Sequence, residues 1–321
     1  MHDPTAWGEL PFDLGTVTML GICVVYLVTE ADGYALLDHS VHQIKRLTRG
    51  PFRIYGCCPN GDDETIRRMT RNGIIHQDIP ERRPHISEEH SNLLDMLVDR
   101  AIRDDCTHVV TFDMDSWPIC DGWDELYCGI LDDRFPLAAM MRTELYDNFP
   151  FAAFICMRRD FWEVGSSSFS TQLRARFKPD AAGLSRRPRE TGSGILAQLF
   201  RDSQSFLRLE RSNRWNVHPL IAGLYDNTIF HLGAGSREPR FVCDDWSYGL
   251  NGSELRRAFA DRMNAEVRAF AIEQILQRHD QFLNQLAGGN RGPLTPIQCD
   301  PAELPREMAL TPIECRRLWG T

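Results

Sequence analysis

The sequence predicts an α/β protein organised around a parallel sheet, on two observations. Short β-branched runs that are apolar at every position read as strands buried on both faces. The stretches between them carry apolar residues at three- and four-residue steps, the period of an amphipathic helix. Strand, helix, strand, helix, strand over the first hundred or so residues is the order that right-handed crossovers turn into a parallel sheet. In such sheets a ligand binds beyond the carboxyl ends of the strands.

Residues 22–29 (ICVVYLVT) give the first strand, and Glu30-Ala31-Asp32-Gly33 reads as a polar turn after it. Leu36, Leu37, Val41, Ile44 and Leu47 mark the stripe of a helix stopped by Gly50-Pro51. Residues 52–57 form a second strand closed by Cys58-Pro59-Asn60-Gly61. A helix then opens at Ser87, with Glu88 and Glu89 in its first turn and a stripe of Leu93, Leu94, Leu97, Val98, Ala101 and Ile102; it ends by Asp105. A strand follows at 107–112, and others at 137–141, 151–157 and 227–232, the last ending at Gly233. Residues 184–190 read as a basic, proline-containing loop before a helix starting at Gly194. A long helix over 253–286 carries Leu255, Phe259, Met263, Val267 and Phe270 on one stripe and Ile272, Ile275 and Leu276 outside it. Being apolar on more than one side, it is expected to pack on the body of the protein and to meet a second copy in a homodimer. The tail after Pro293 is given no structure.

Composition sets the class. With 321 residues, 42% hydrophobic and 25% charged, the chain is globular and long enough to bury a core without a structural metal or disulfides. Its net charge of -9 repels a phosphate backbone, which excludes nucleic acid as the expected partner. Of 36 basic residues only Lys45 and Lys178 are lysines, so any anion site is built from arginine, histidine or backbone amides. Ten cysteines without a CxxC pair point to reduced core thiols and a cytoplasmic location. The apolar run at 17–28 is too short to span a bilayer and lacks a basic start, so no membrane span is expected.

The most informative segment is Val109-Val110-Thr111-Phe112-Asp113-Met114-Asp115. Two carboxylates two residues apart at the end of an apolar strand raise each other's pKa and cost free energy on burial unless something compensates. A hard divalent ion, Mg²⁺ or Mn²⁺, removes that cost and keeps positions open for phosphate oxygens; a solvated strand end is the other reading of the pair. A calcium loop is excluded because its glycine and terminal glutamate spacing is missing.

The segment HSNLLDMLVDRAIRDDCTHVVTFDMDSWPICDGWDELY resembles the nucleotide-sugar-binding core of GT-A glycosyltransferases, in which a strand ends in a DxD motif followed by a "P…GW" stretch, here Pro118, Gly122 and Trp123. FAAFICMRRDFWEVG resembles the family's strand, arginine, aromatic and glycine segment, and Ile229-Phe230-His231-Leu232-Gly233 is similar to its late metal-site histidine. The resemblance spans roughly residues 22–235. It implies a Rossmann-like, mixed but mostly parallel sheet flanked by helices, with a transferase domain over 1–250 and a helical C-terminal extension and tail over 251–321. It implies that Asp115 and His231 bind Mn²⁺ or Mg²⁺ and that Asp113 contacts the metal or the ribose. Thr29, Glu30 and Asp32 match the position that grips nucleobase and ribose, and His90 and Asn60 are expected to face the nucleotide.

The implied reaction moves a sugar from a nucleoside-diphosphate donor to an acceptor hydroxyl, the cation stabilising the diphosphate leaving group. Glu190 lies where inverting members present an acid and is the candidate general base; the usual Glu-Asp pair is replaced by Glu190-Thr191-Gly192, which leaves the stereochemistry open. A turn glutamate favoured by a helix N-terminus is the other reading of Glu190. Arg186, Arg187 and Arg189 read either as a loop closing on the diphosphate or as a solvated face. Trp117, Trp123 and Trp162 read as sugar-stacking or core residues, and Asp244-Asp245-Trp246 as a border of the acceptor pocket. The competing functions are a nucleotidyltransferase, disfavoured by the acidic Glu30-Ala31-Asp32-Gly33 segment, and a non-catalytic nucleotide-sugar-binding module. A soluble acceptor is expected, and the arginine-rich composition fits a GC-rich bacterium making glycosylated natural products.

Overall fold

A computed structural model describes residues 18–28, 31–79, 86–141, 150–165, 167–170, 191–213, 221–233, 254–294 and 296–299. Three parallel strands form its centre: β1 (Leu20–Val25), β2 (Phe52–Cys57) and β4 (His108–Asp113), with the two-residue β3 (Ile75–His76) beyond β2. All six residues of β1 are buried, as expected of a strand covered on both faces. The other half of the sheet contains β6 (Leu137–Met140), β7 (Phe151–Arg158), β8 (Phe206–Leu209) and β11 (Ile297–Cys299). The spatial order is β11-β8-β6-β7-β4-β1-β2-β3, and four of the seven neighbouring pairs are parallel. The sheet is thus mixed and mostly parallel, with helices on both faces.

One face is covered by α1 (Ala31–Leu47), α2 (Asp63–Arg71), α4 (Trp123–Ile130) and α7 (Glu254–Leu286). The other is covered by α3 (Ile86–Arg103), α5 (Arg159–Gly165) and α6 (Ser193–Asp202). The stripe Leu36, Leu37, Val41, Ile44 of α1 is fully buried, and Leu94, Leu97, Val98 and Ala101 of α3 likewise. Each buried aliphatic side chain of this size stabilises by about 1.5–3 kcal/mol.

Several elements differ from the sequence reading. The first strand ends at Val25 rather than at residue 29, and α1 already begins at Ala31, so Asp32 and Gly33 sit in its first turn rather than in a loop. The reason is packing: a Cβ on Gly33 would lie 2.9 Å from Val28 Cγ1, so the helix start folds back onto the segment that leaves β1. Helix α3 starts at Ile86, which places Ser87 inside the helix. The tail after Pro293 is not structureless, because β11 pairs antiparallel with β8.

The long C-terminal helix is broken at Arg278, whose φ of -144° and ψ of 39° are not helical. Its buried side is set by Arg268, Ala271, Ile272, Ile275, Phe282, Leu283 and Leu286, while Phe270 of the expected stripe is 49% exposed. Just past the break, His279 accepts a hydrogen bond from Trp117 Nε1 at 3.3 Å and lies 4.6 Å from the His39 ring of α1. Burial, reinforced by the neighbouring His279, lowers the pKa of His39 to about 3, so the His39 imidazole is neutral at this junction. Among the described residues no helix is long and apolar enough to cross a membrane. Eight described cysteines are free thiols, six of them buried.

Candidate metal centre

The central strands end level with one another, Val25 of β1 opposite Asp113 of β4. Phe112, fully buried, holds the strand down to its last residue, and the chain turns at Met114-Asp115 into β5 (Ser116–Pro118). The Ser116 hydroxyl fixes this turn: it donates to the Ala153 carbonyl at 2.6 Å and lies 3.1 Å from that of Asp113. Both carboxylates are therefore set by backbone that cannot shift without breaking the sheet.

The third side chain comes from a separate three-stranded sheet, β5-β10-β9, in which β10 (Ile229–His231) and β9 (Gly223–Tyr225) form a hairpin. Its turn carries Asp226 and Asn227 at φ 53° and 52°, the left-handed values of a type I′ turn that Asp and Asn tolerate. The register pairs His231 with Ser116, and the Leu232 amide donates to the Asp115 carbonyl at 2.9 Å. That pairing lays the histidine beside the two aspartates.

His231 Nε2 is 3.7 Å from Asp113 Oδ2 and 3.6 Å from Asp115 Oδ1, and one ligand atom from each of the three residues lies within 4.8 Å of the other two. Asp115 and His231 are buried, whereas the side chain of Asp113 is 25% exposed. Ligands of one octahedral ion at about 2.1 Å are separated by about 3.0 Å when adjacent and about 4.2 Å when opposite. The histidine stands between those limits from both carboxylates, so the donor set fits a divalent ion.

The other expected residues divide. His90 of α3 reaches the cluster, its Nε2 3.8 Å from Asp113 Oδ1. The Asn60 carboxamide is turned to the backbone, donating to the Val28 carbonyl at 2.9 Å and accepting from the Cys58 thiol at 3.0 Å, so it braces the segment leaving β1. Asp32 is exposed in the first turn of α1. Thr29, Glu30 and Glu190 lie outside the described residues, as do Arg186, Arg187, Arg189, Asp244, Asp245 and Trp246. Trp117, Trp123 and Trp162 are core side chains, 0%, 0% and 6% exposed, and not stacking platforms.

Sequence reasoning passes over Thr191 and Ser91. Thr191 Oγ1 lies 3.2 Å from His90 Nδ1 and accepts from the Ser91 hydroxyl at 3.3 Å. The available signal is the polar series Ser91, Asp95 and Asp99 at four-residue steps beside the apolar stripe of α3. Asp95 accepts from Ser168 Oγ and from the Phe169 amide at 2.6 and 2.7 Å, and Asp99 accepts from Trp162 Nε1 at 2.8 Å. Burial pushes the Asp95 carboxyl up to about 6 against the pull of those two donors.

No protein-family model matches this chain, and no curated protein matches it. Among solved structures, a protein assigned as a nucleotide-diphospho-sugar transferase from Desulfovibrio desulfuricans G20 aligns at 15% identity and TM-score 0.37, over 61% of this chain and 80% of its own. Residues 1–349 of TarS from S. aureus align at 10% identity and TM-score 0.40, over 85% of this chain and 79% of the other. A cytidylyltransferase from Leptospira borgpetersenii aligns at 13% identity and TM-score 0.37, over 78% and 96%. Likeness at this level carries no functional argument, and the reading of the site rests on its own geometry.

Proposed function

We propose that this chain is a metal-dependent glycosyltransferase that moves a sugar from a nucleoside-diphosphate donor to an acceptor hydroxyl. The observation that carries the reading is the convergence of Asp113, Asp115 and His231 within 4.8 Å at the carboxyl end of the parallel strands. That is the end at which α/β sheets bind nucleotides. Asp115 and His231 would hold the cation from the buried side, and Asp113, partly exposed, would face the donor and contact the cation or the ribose. The bound cation supplies Lewis-acid stabilisation of the diphosphate leaving group.

Thr29, Glu30 and Asp32, with Asn60 bracing the same segment, are proposed to bind the nucleoside. Glu190 is proposed to accept the proton of the acceptor hydroxyl as the anomeric carbon is attacked, which requires an inverting reaction. The acceptor is proposed to be a soluble small molecule, a saccharide or a protein side chain, and the protein to act in the cytoplasm. Phe270 and Leu276, 49% and 40% exposed on α7, support a proposed homodimer through that helix.

The experiment is incubation with UDP-, GDP- and dTDP-sugars plus Mn²⁺, reading donor hydrolysis and Mn²⁺-dependent nucleotide binding. Asp115→Ala and His231→Ala are each expected to abolish transfer and to weaken Mn²⁺-assisted nucleotide binding, with the fold retained by circular dichroism. Near-normal activity in both variants would overturn the assignment.

A further inference from the structure

The two oxygens of Asp113 face two different imidazoles. Oδ2 faces His231, and Oδ1 faces His90 across 3.8 Å. The other nitrogen of His90 points away from the cluster, to Thr191 Oγ1 at 3.2 Å, and Ser91 donates to the same oxygen. These contacts have one consistent polarity: Ser91 O–H to Thr191 Oγ1, Thr191 O–H to Nδ1 of His90, and Nε2–H of His90 towards Asp113. The His90 tautomer that accepts at Nδ1 and carries its proton on Nε2 fits this polarity.

Thr191 opens the turn that leads into α6, and this turn is firmly seated. The Gly192 amide donates to the Phe169 carbonyl at 3.1 Å. Gly192 has a φ of 103°, and a Cβ on Gly194 would sit 2.1 Å from the Ser168 carbonyl oxygen. Ser168 and Phe169 are in turn bound by Asp95. Helix α3 therefore grips the turn twice, directly through His90 and Ser91 and indirectly through Asp95. Only the first grip also touches the metal cluster.

We propose that His90 is a positioning residue that orients the Asp113 carboxylate for the cation and couples cation binding to the placement of the turn at residues 191–194. This rests on the reading above that Asp113, Asp115 and His231 hold a divalent ion. A ligand's outer partner fixes its orientation, and losing one typically costs about 10–100-fold in metal affinity. Because Thr191 directly follows Glu190 in the chain, the coupling joins the filling of the donor site to the segment carrying the proposed base.

The test uses the full chain, with Mn²⁺ alone as the probe. Mn²⁺ affinity is measured by titration calorimetry, and hydrogen exchange is followed at the amides of residues 191–198. In the unaltered protein Mn²⁺ is expected to slow exchange at those amides. His90→Gln places a carboxamide near the Nε2 position and should keep Mn²⁺ affinity within about threefold of normal while abolishing the exchange response. His90→Asn places it near Nδ1 and should lose about 10–100-fold in affinity. Thr191→Val, a small change at a distance from the ion, should bind Mn²⁺ normally yet lose the exchange response.

If Mn²⁺ binds but exchange at 191–198 does not respond, or if His90→Gln and His90→Asn behave alike, the coupling is overturned while the metal site stands. If the unaltered protein binds no Mn²⁺, or His231→Ala binds it as well as the unaltered protein, the metal reading falls and the coupling with it.

Discussion

The aspartates and the histidine of the centre are delivered by two regions built on different physics. Asp113 and Asp115 stand at the end of β4, whose own Val109, Val110 and Phe112 and whose facing residues Phe154, Ile155 and Cys156 on β7 are all fully buried. His231 rides on the β9–β10 hairpin, which is held by a buried polar network. Asn213 spans it, donating to the Ala222 carbonyl and accepting from the Leu224 amide, each at 2.8 Å. Arg211 donates to the Ile221 carbonyl at 2.9 Å. Inside the turn, Tyr127 is hydrogen-bonded to Thr228 and lies 3.4 Å from Asp226 Oδ2. Position is thus fixed on one side chiefly by close packing, with the Ser116 hydroxyl bonded to the Ala153 carbonyl at its end, and on the other by paired polar groups, each costly when its partner is lost.

Three substitutions would sharpen or break this contrast. The largest effect is expected in the dry region: Phe154→Ala should destabilise by about 3–5 kcal/mol, and by the same amount at pH 5 and pH 8. A pH-dependent loss in denaturant titrations would show that this half is not purely packed. Next, Asn213→Ala should cost about 2 kcal/mol by stranding a buried carbonyl and a buried amide. It should also weaken Mn²⁺ binding, since the hairpin carries His231. A change in stability without a change in Mn²⁺ affinity would separate the network from the site.

The third effect is the one whose size depends on pH. Burial pushes the Asp226 carboxyl up to about 8, Tyr127 only partly offsetting it. The folded chain therefore holds a proton there that the unfolded chain has released above about pH 4. The contribution of Asp226 is fully present below that value and is lost as pH rises towards 8. Asp226→Asn should accordingly stabilise the fold at pH 7.5 and leave it close to unchanged at pH 4. Thermal melts at the two pH values would read this, and equal shifts at both would contradict a protonated, buried Asp226.

The contrast also accounts for what was legible in the sequence. β1, α1, β2, α3 and β4 can be read because strands buried on both faces leave unbroken apolar runs and their helices leave clean stripes. The Asp113–Asp115 pair is conspicuous for the same reason, as charge at the end of such a run. Helix α2 escapes notice because only Thr65 and Met69 are buried along it, even though Asp62 caps it by accepting from the Thr65 amide at 2.8 Å. β8, β9 and β11 are short, and β9 is fixed by side chains such as Asn213 that carry no periodic signal. His231 stands out as a histidine at a strand end, but its register against Ser116 is a contact across more than a hundred residues. The link from His90 to Thr191 is equally remote in sequence, and no local pattern encodes it.

The last described strand bears on how the protein is made. β8 is paired on one side with β6 and on the other with β11, and about 90 residues separate its end at Leu209 from Ile297. At typical synthesis rates of about 5–20 residues per second, the outer edge of β8 waits roughly 4–18 s for its partner to emerge. During that interval Phe206 and Leu207 sit on an open edge, the kind of template on which nascent chains pair with one another. Removing β11 would make that transient exposure permanent, so its first consequence should appear in the yield of dispersed protein rather than in the chemistry of the centre.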